Sequence, residues 1–163
     1  MKTKRLTVMA LLTAAAMILS YVESLLPSVA VPGVKLGLAN IAVIFALYRL
    51  GWREALAISA VRVFLVSMLF GSMSALLYSL SGAVLSLLLM GLLRRTDRFS
   101  AVGVSVAGGV AHNLGQVLMA MLLLGSRRLI YYYPILVLSG VAGGVVTGLT
   151  AAMLVTRIPP FEK

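Results

Sequence analysis

The chain has 163 residues, 61% of them hydrophobic and only 11% charged, and a mean hydropathy of +1.09 excludes an ordinary soluble domain. The absence of cysteine excludes disulfides, thiolate catalysis and thiolate metal sites. A net charge of +10 does not point to nucleic acid, because most Lys and Arg lie in short loops beside apolar runs, where they set topology and meet anionic lipid headgroups.

At about 20 residues per membrane span, the length accommodates six spans and leaves nothing for a soluble domain. The chain therefore reads as one all-α integral membrane domain, 1–163, with spans near 6–26, 36–50, 54–70, 74–93, 100–124 and 131–155. The first follows Lys2, Lys4 and Arg5 and superficially resembles a secretory signal. Its hydrophobicity runs on to Leu26, too far for a signal core, so a retained first helix is expected. This span carries an Ala-x-x-x-Ala pair, Ala10 and Ala14, and places Glu23 near its far end.

Next comes Val31-Pro32-Gly33-Val34-Lys35-Leu36-Gly37-Leu38-Ala39-Asn40. It is apolar enough to enter the membrane zone, yet Pro32, Gly33 and Gly37 interrupt it. Irregular backbone at that depth is tolerated only when buried in protein or lining a cavity, so a lid over a site is expected. The helix that follows, 38–50, would rise only about 20 Å, short of a ~30 Å hydrocarbon core. After Gly51-Trp52-Arg53, the third span holds Arg62 at its centre, with apolar sequence on both sides. A guanidinium near the bilayer centre costs from roughly 3 to more than 10 kcal/mol and normally faces a protein interior or a wet cavity.

Beyond the fourth span and the basic segment 94–98, the fifth carries Gly103, Ala107, Ala111 and Gly115, and the sixth carries Gly140, Gly144, Gly148 and Ala152. Small residues at intervals of four let membrane helices approach closely, and packing within the chain explains them more simply than a dimer. The fifth span also holds His112, Asn113 and Gln116; His112 and Gln116 share a helix face. Tyr131, Tyr132 and Tyr133 sit where an aromatic belt is expected.

Ten basic residues fall on the side of the N-terminus and three, Lys35, Arg127 and Arg128, on the other. The positive-inside rule then puts both termini in the cytoplasm and requires an even number of spans. With that topology Glu23, Asn40, Arg62, His112, Asn113 and Gln116 collect in the middle and outer half of the membrane, with Lys35 above them. Each has a structural reading. Arg62 could pair with Glu23 or a carbonyl, and His112 with Asn113 could join helices. Together they suggest a ligand site open to the outside, suited to a small anionic or amphipathic ligand, with Phe64, Met68, Phe70, Tyr78 and Met119 as apolar walls. No catalytic residue, metal or cofactor site is expected. The four carboxylates, Glu23, Glu54, Asp97 and Glu162, offer no magnesium pair, and no phosphate-binding loop is present. Uphill transport would need an external motor.

The run Pro32-Gly33-Val34-Lys35-Leu36-Gly37-Leu38-Ala39-Asn40, followed by an apolar stretch and Gly51-Trp52-Arg53-Glu54, resembles a family of small bacterial membrane proteins. Its members are called heptaprenyl diphosphate synthase component I or Gx transporters. That family is similar to the substrate-binding (S) components of energy-coupling-factor (ECF) transporters. The resemblance implies a six-helix bundle in the bacterial cytoplasmic membrane, with an outward pocket under the loop between helices one and two. It also implies a coupling subunit, contacted by Ala10 and Ala14, and two ATPase subunits as partners. The synthase name implies a second possibility, an accessory role in isoprenoid or quinone assembly. Chain-forming prenyl synthases carry Asp-rich magnesium motifs and this chain has one Asp, so catalysis by the chain itself is not expected.

Overall fold

The computed structural model describes residues 2–25 and 37–159. These form six α-helices: α1 (Lys2–Leu25), α2 (Asn40–Arg49), α3 (Trp52–Phe70), α4 (Met73–Arg95), α5 (Ala101–Leu124) and α6 (Tyr133–Arg157), with a 3-10 helix, Arg127–Tyr132, before the last. Each helix follows a predominantly apolar run, and the boundaries have local causes. Ser72 and Ser100 cap α4 and α5, their hydroxyls accepting from the N–H groups of Ala75 and Gly103, both at 3.1 Å. Gly51 turns the chain between α2 and α3 with φ +127°, a conformation open essentially to glycine alone.

Four helical segments among the described residues are long and apolar enough to cross a membrane, Thr3–Leu25, Met73–Arg95, Ala101–Leu124 and Arg127–Arg157. The chain is a multi-pass membrane protein on that basis. The expected count of six passes is not reached by length and composition alone. The 10 residues of α2 rise only about 15 Å, and α3, with 19 residues, carries Arg53, Glu54 and Arg62.

Helix contacts run α1–α3–α4–α5–α6–α2, with α2 also against α1 and α3. The shortest helix is thus the most enclosed: Ala42, Val43, Ile44, Phe45, Ala46 and Leu47 are all buried. A helix apolar on every face belongs in the middle of a bundle. In contrast, α1 buries little beyond Ala16, and Leu6, Ala10, Leu11, Ala14 and Ile18 face outward.

The two ends of the bundle differ. The filled core combines Val43, Ile44, Ala46 and Leu47 with Ala55, Ile58, Leu87, Met90, Val104 and Ala151. These belong to the end where α1 and α3 begin and α2, α4 and α6 finish. Arginines tie that end together through backbone carbonyls. Arg49 donates to the carbonyls of Val155 and Ile158 at the end of α6. Arg5 donates to Leu50 O at 3.0 Å and pairs with Glu54 at 2.7 Å. Arg94 donates to Tyr48 O at 3.2 Å and lies 5.0 Å from the Tyr48 ring centre. Cations near C-terminal carbonyls favour the helix dipole and satisfy orphan acceptors. These basic residues therefore help hold the fold together.

Of the two small-residue rows, that of α6 packs as expected. A Cβ on Gly140, Gly144 or Gly148 would lie 3.0, 2.6 or 2.7 Å from atoms of α5. On α5 the close contacts to α6 and to α4 come from different glycines. The glycine facing Gly140 is Gly109, whereas Gly115 packs on Ser81 and Gly82 of α4, and Gly103 meets only its own N-terminal turn. Helix α5 lies between two neighbours, so its small residues are divided between two faces.

Candidate functional site

The other end of the bundle is hollow. A cavity of about 140 Å³ opens there, lined by all six helices. The last turns of α1 contribute Ser20, Tyr21, Glu23 and Ser24, and Gly37, Ala39 and Asn40 line it at the start of α2. Helix α3 presents Arg62, Val63, Val66, Ser67 and Phe70, a stripe repeating every three to four residues. Helix α4 adds Ala75 and Ser79; α5 adds Ser105, Gly109, His112, Asn113 and Gln116; α6 adds Ser139, Gly140, Gly143, Gly144 and Thr147.

Glu23, Asn40, Arg62, His112, Asn113 and Gln116 therefore surround one space. The last expected member, Lys35, lies outside the described residues, as does most of the segment read as a lid; of its described end, Gly37, Ala39 and Asn40 line the cavity. Arg127 and Arg128 stand exposed on the 3-10 helix and do not line the cavity. The expected apolar walls need correction. Phe70 lines the cavity, but Phe64 and Met68 are 54% and 52% exposed and face outward. They lie on the opposite side of α3 from the Arg62–Val66–Phe70 stripe. Tyr78 and Met119 are likewise absent from the walls, which are built from Val63, Val66, Ala75 and glycines.

Several contacts fix the polar groups. Glu23 Oε1 accepts from the Gly37 N–H at 2.5 Å, and Gly37 O accepts from the Asn40 N–H at 2.8 Å, so a side chain of α1 holds the entry to α2. Asn113 spends its amide nitrogen on Leu136 O of α6 at 2.6 Å. The His112 ring packs against α4 at Gly82, where a Cβ would come 2.9 Å from its Cε1. Tyr21 and Phe70 bring their rings within 5.1 Å across the α1–α3 rim.

Arg62 differs from these. Its Nε is buried without a hydrogen-bond partner. Glu23 is the carboxylate whose field reaches it, yet the ion pair formed among the described residues is Arg5–Glu54, not this one. A buried ionic group without a close partner is costly. A set of hydroxyls also lines the cavity, from Ser20, Ser67, Ser79, Ser105, Ser139 and Thr147. Ser105 and Thr147 bond to each other at 3.0 Å, while Ser20 Oγ is buried and unpartnered. Serines and threonines in membrane helices usually bond back to their own helix, so sequence offers no signal that separates these.

The arrangement is that of a small binding cavity, polar at several points and enclosed by helices. No curated protein and no solved structure matches the chain. The chain belongs to the family described as heptaprenyl diphosphate synthase component I, whose model matches residues 12–154 and so spans every residue of the cavity wall.

Proposed function

We propose that this protein is the membrane-embedded substrate-binding component of an ECF-type importer, capturing a small ligand with an anionic end from the outside. The observation that carries this reading is the Arg62 guanidinium, set in a cavity with its Nε unpartnered. Orientation supports it. The cavity lies at the end opposite the arginine-rich one, and the positive-inside rule puts the arginine-rich end in the cytoplasm. In this reading all six helices constitute passes, with α2 running from the cavity to the cytoplasmic side. Both termini are cytoplasmic, and the membrane is the bacterial cytoplasmic membrane. His112, Asn113 and Gln116 orient the ligand by hydrogen bonds.

The chain binds and does not catalyse; energy comes from a coupling subunit and two ATPase subunits. The outward face of α1 with Ala10 and Ala14 suits the coupling subunit, because small residues permit close helix approach. The test is affinity purification of the tagged protein from native membranes in mild detergent. A coupling subunit and an ATPase pair should co-purify in stoichiometric amounts; recovery of the chain without them counts against the reading. A second reading, an accessory subunit of heptaprenyl diphosphate synthase, is favoured by the family's description. It requires that deletion shortens or lengthens the prenyl chain while nutrient uptake is unaffected.

A further inference from the structure

We propose that the captured ligand is a small zwitterion, its anionic group on Arg62 and its cationic group on Glu23. This rests on the capture reading above and names its substrate class. Among the described residues that line the cavity, the formal charges are one guanidinium and one carboxylate. They are not joined to each other as an ion pair. The Gly37 N–H holds Glu23 Oε1 at 2.5 Å, which orients the carboxylate without neutralising it.

The charge balance decides the class. A simple anion on Arg62 would leave the filled cavity with one net negative charge at Glu23, and a simple cation on Glu23 would leave Arg62 unmatched. Uncompensated charge away from water is the costliest outcome available to such a site. A ligand carrying both signs leaves the filled cavity neutral and gives each side chain a partner. The same cavity wall offers groups suited to a short polar body, notably Ser20 Oγ, buried and without a partner, and the Asn113 amide, whose nitrogen is already bonded to Leu136 O. Size narrows the class further. A space of about 140 Å³ is close to one that holds a single benzene, so about six to ten non-hydrogen atoms fit. A prenyl chain does not.

The experiment uses the purified full-length chain in detergent with ω-amino acids from glycine to 5-aminopentanoate, and the carboxylic acid and amine matched in length to each. Binding is read by calorimetry and by the shift in thermal midpoint. At least one zwitterion should bind the unsubstituted protein ten-fold or more tighter than its matched acid and amine. Glu23→Gln should remove that advantage over the acid, and Arg62→Gln should remove it over the amine. An acid that binds as tightly as the best zwitterion overturns the zwitterion assignment and leaves capture intact. Absence of binding by any probe at 10 mM, a ceiling set well above a useful affinity, also overturns the assignment; capture itself is judged by the co-purification above. Should either variant fail to fold, the comparison of matched probes on the unsubstituted protein decides the matter alone.

Discussion

Gly109 of α5 and Gly140 of α6 meet backbone to backbone beside the cavity: a Cβ on Gly109 would stand 2.5 Å from Gly140 O. Backbone cannot move aside as the end of a flexible side chain can, so any larger residue must separate the helices. Gly109→Ala and Gly140→Ala should each cost about 1–3 kcal/mol as overpacking. Both should lower the thermal midpoint in detergent. Gly103→Ala is the control, since a Cβ there has its nearest neighbour at 3.6 Å. It should leave stability unchanged or raise it by up to about 1 kcal/mol through helix propensity.

Arg49 joins the end of α2 to the end of α6 by donating to Val155 O and Ile158 O. Because α2 has only 10 residues, it depends on neighbours at both ends to stay in place. Arg49→Leu removes hydrogen bonds from a charged donor, a loss of about 1.5–3 kcal/mol. Arg98→Gln, on an exposed side chain, should have no measurable effect. Thermal unfolding of the two variants side by side checks the difference; equal midpoints would show that the Arg49 staple contributes nothing.

Much of this architecture could be read from residue order, and most of what could not has one cause. The helices follow from long apolar runs, and Arg62 pointed to a polar interior because no lipid-facing guanidinium is tolerated there. Glu23, Asn40, His112, Asn113 and Gln116 reached the same cavity for a related reason: polar groups in membrane helices turn toward one another. What a single sequence does not contain is helix rotation. Phe64 and Met68 were expected in the wall, yet the inward stripe of α3 runs through Arg62, Val66 and Phe70 and leaves them outside. On α5 the sequence likewise does not say which neighbour each small residue meets: Gly109 faces Gly140 of α6, whereas Gly115 packs on Ser81 and Gly82 of α4. The serine hydroxyls were unreadable for a different reason, since identical residues on the outer faces would look the same.

The face that α4 presents to the cavity makes a test by volume. Ala75→Leu adds three carbons to the wall of a space of about 140 Å³, enough to displace much of any small ligand. Ligand retention, measured by native mass spectrometry, should fall strongly while the thermal midpoint stays the same or rises, because filling an empty space gains contacts. Phe64→Leu and Met68→Leu act on the outward face and should leave retention unchanged. Loss of retention in the outward variants and not in Ala75→Leu would place the ligand elsewhere.

Arg62 separates a binding role from a structural one through the sign of its effect on stability. Within the chain its Nε is buried without a hydrogen-bond partner, so the folded state carries a desolvation cost that no close ion pair offsets. Arg62→Ala removes that cost, and the empty protein should be as stable as before or more stable. Binding should behave oppositely. Truncating one member of a buried charge pair costs about 2–5 kcal/mol, equivalent to a loss of roughly 30- to 3,000-fold in affinity at about 1.4 kcal/mol per decade. Arg62→Lys keeps the charge but not the planar donor fork, and should recover only part of the loss. A variant that unfolds earlier, by an amount independent of added ligand, would mean that the guanidinium holds the bundle together and that the cavity was not built around its charge.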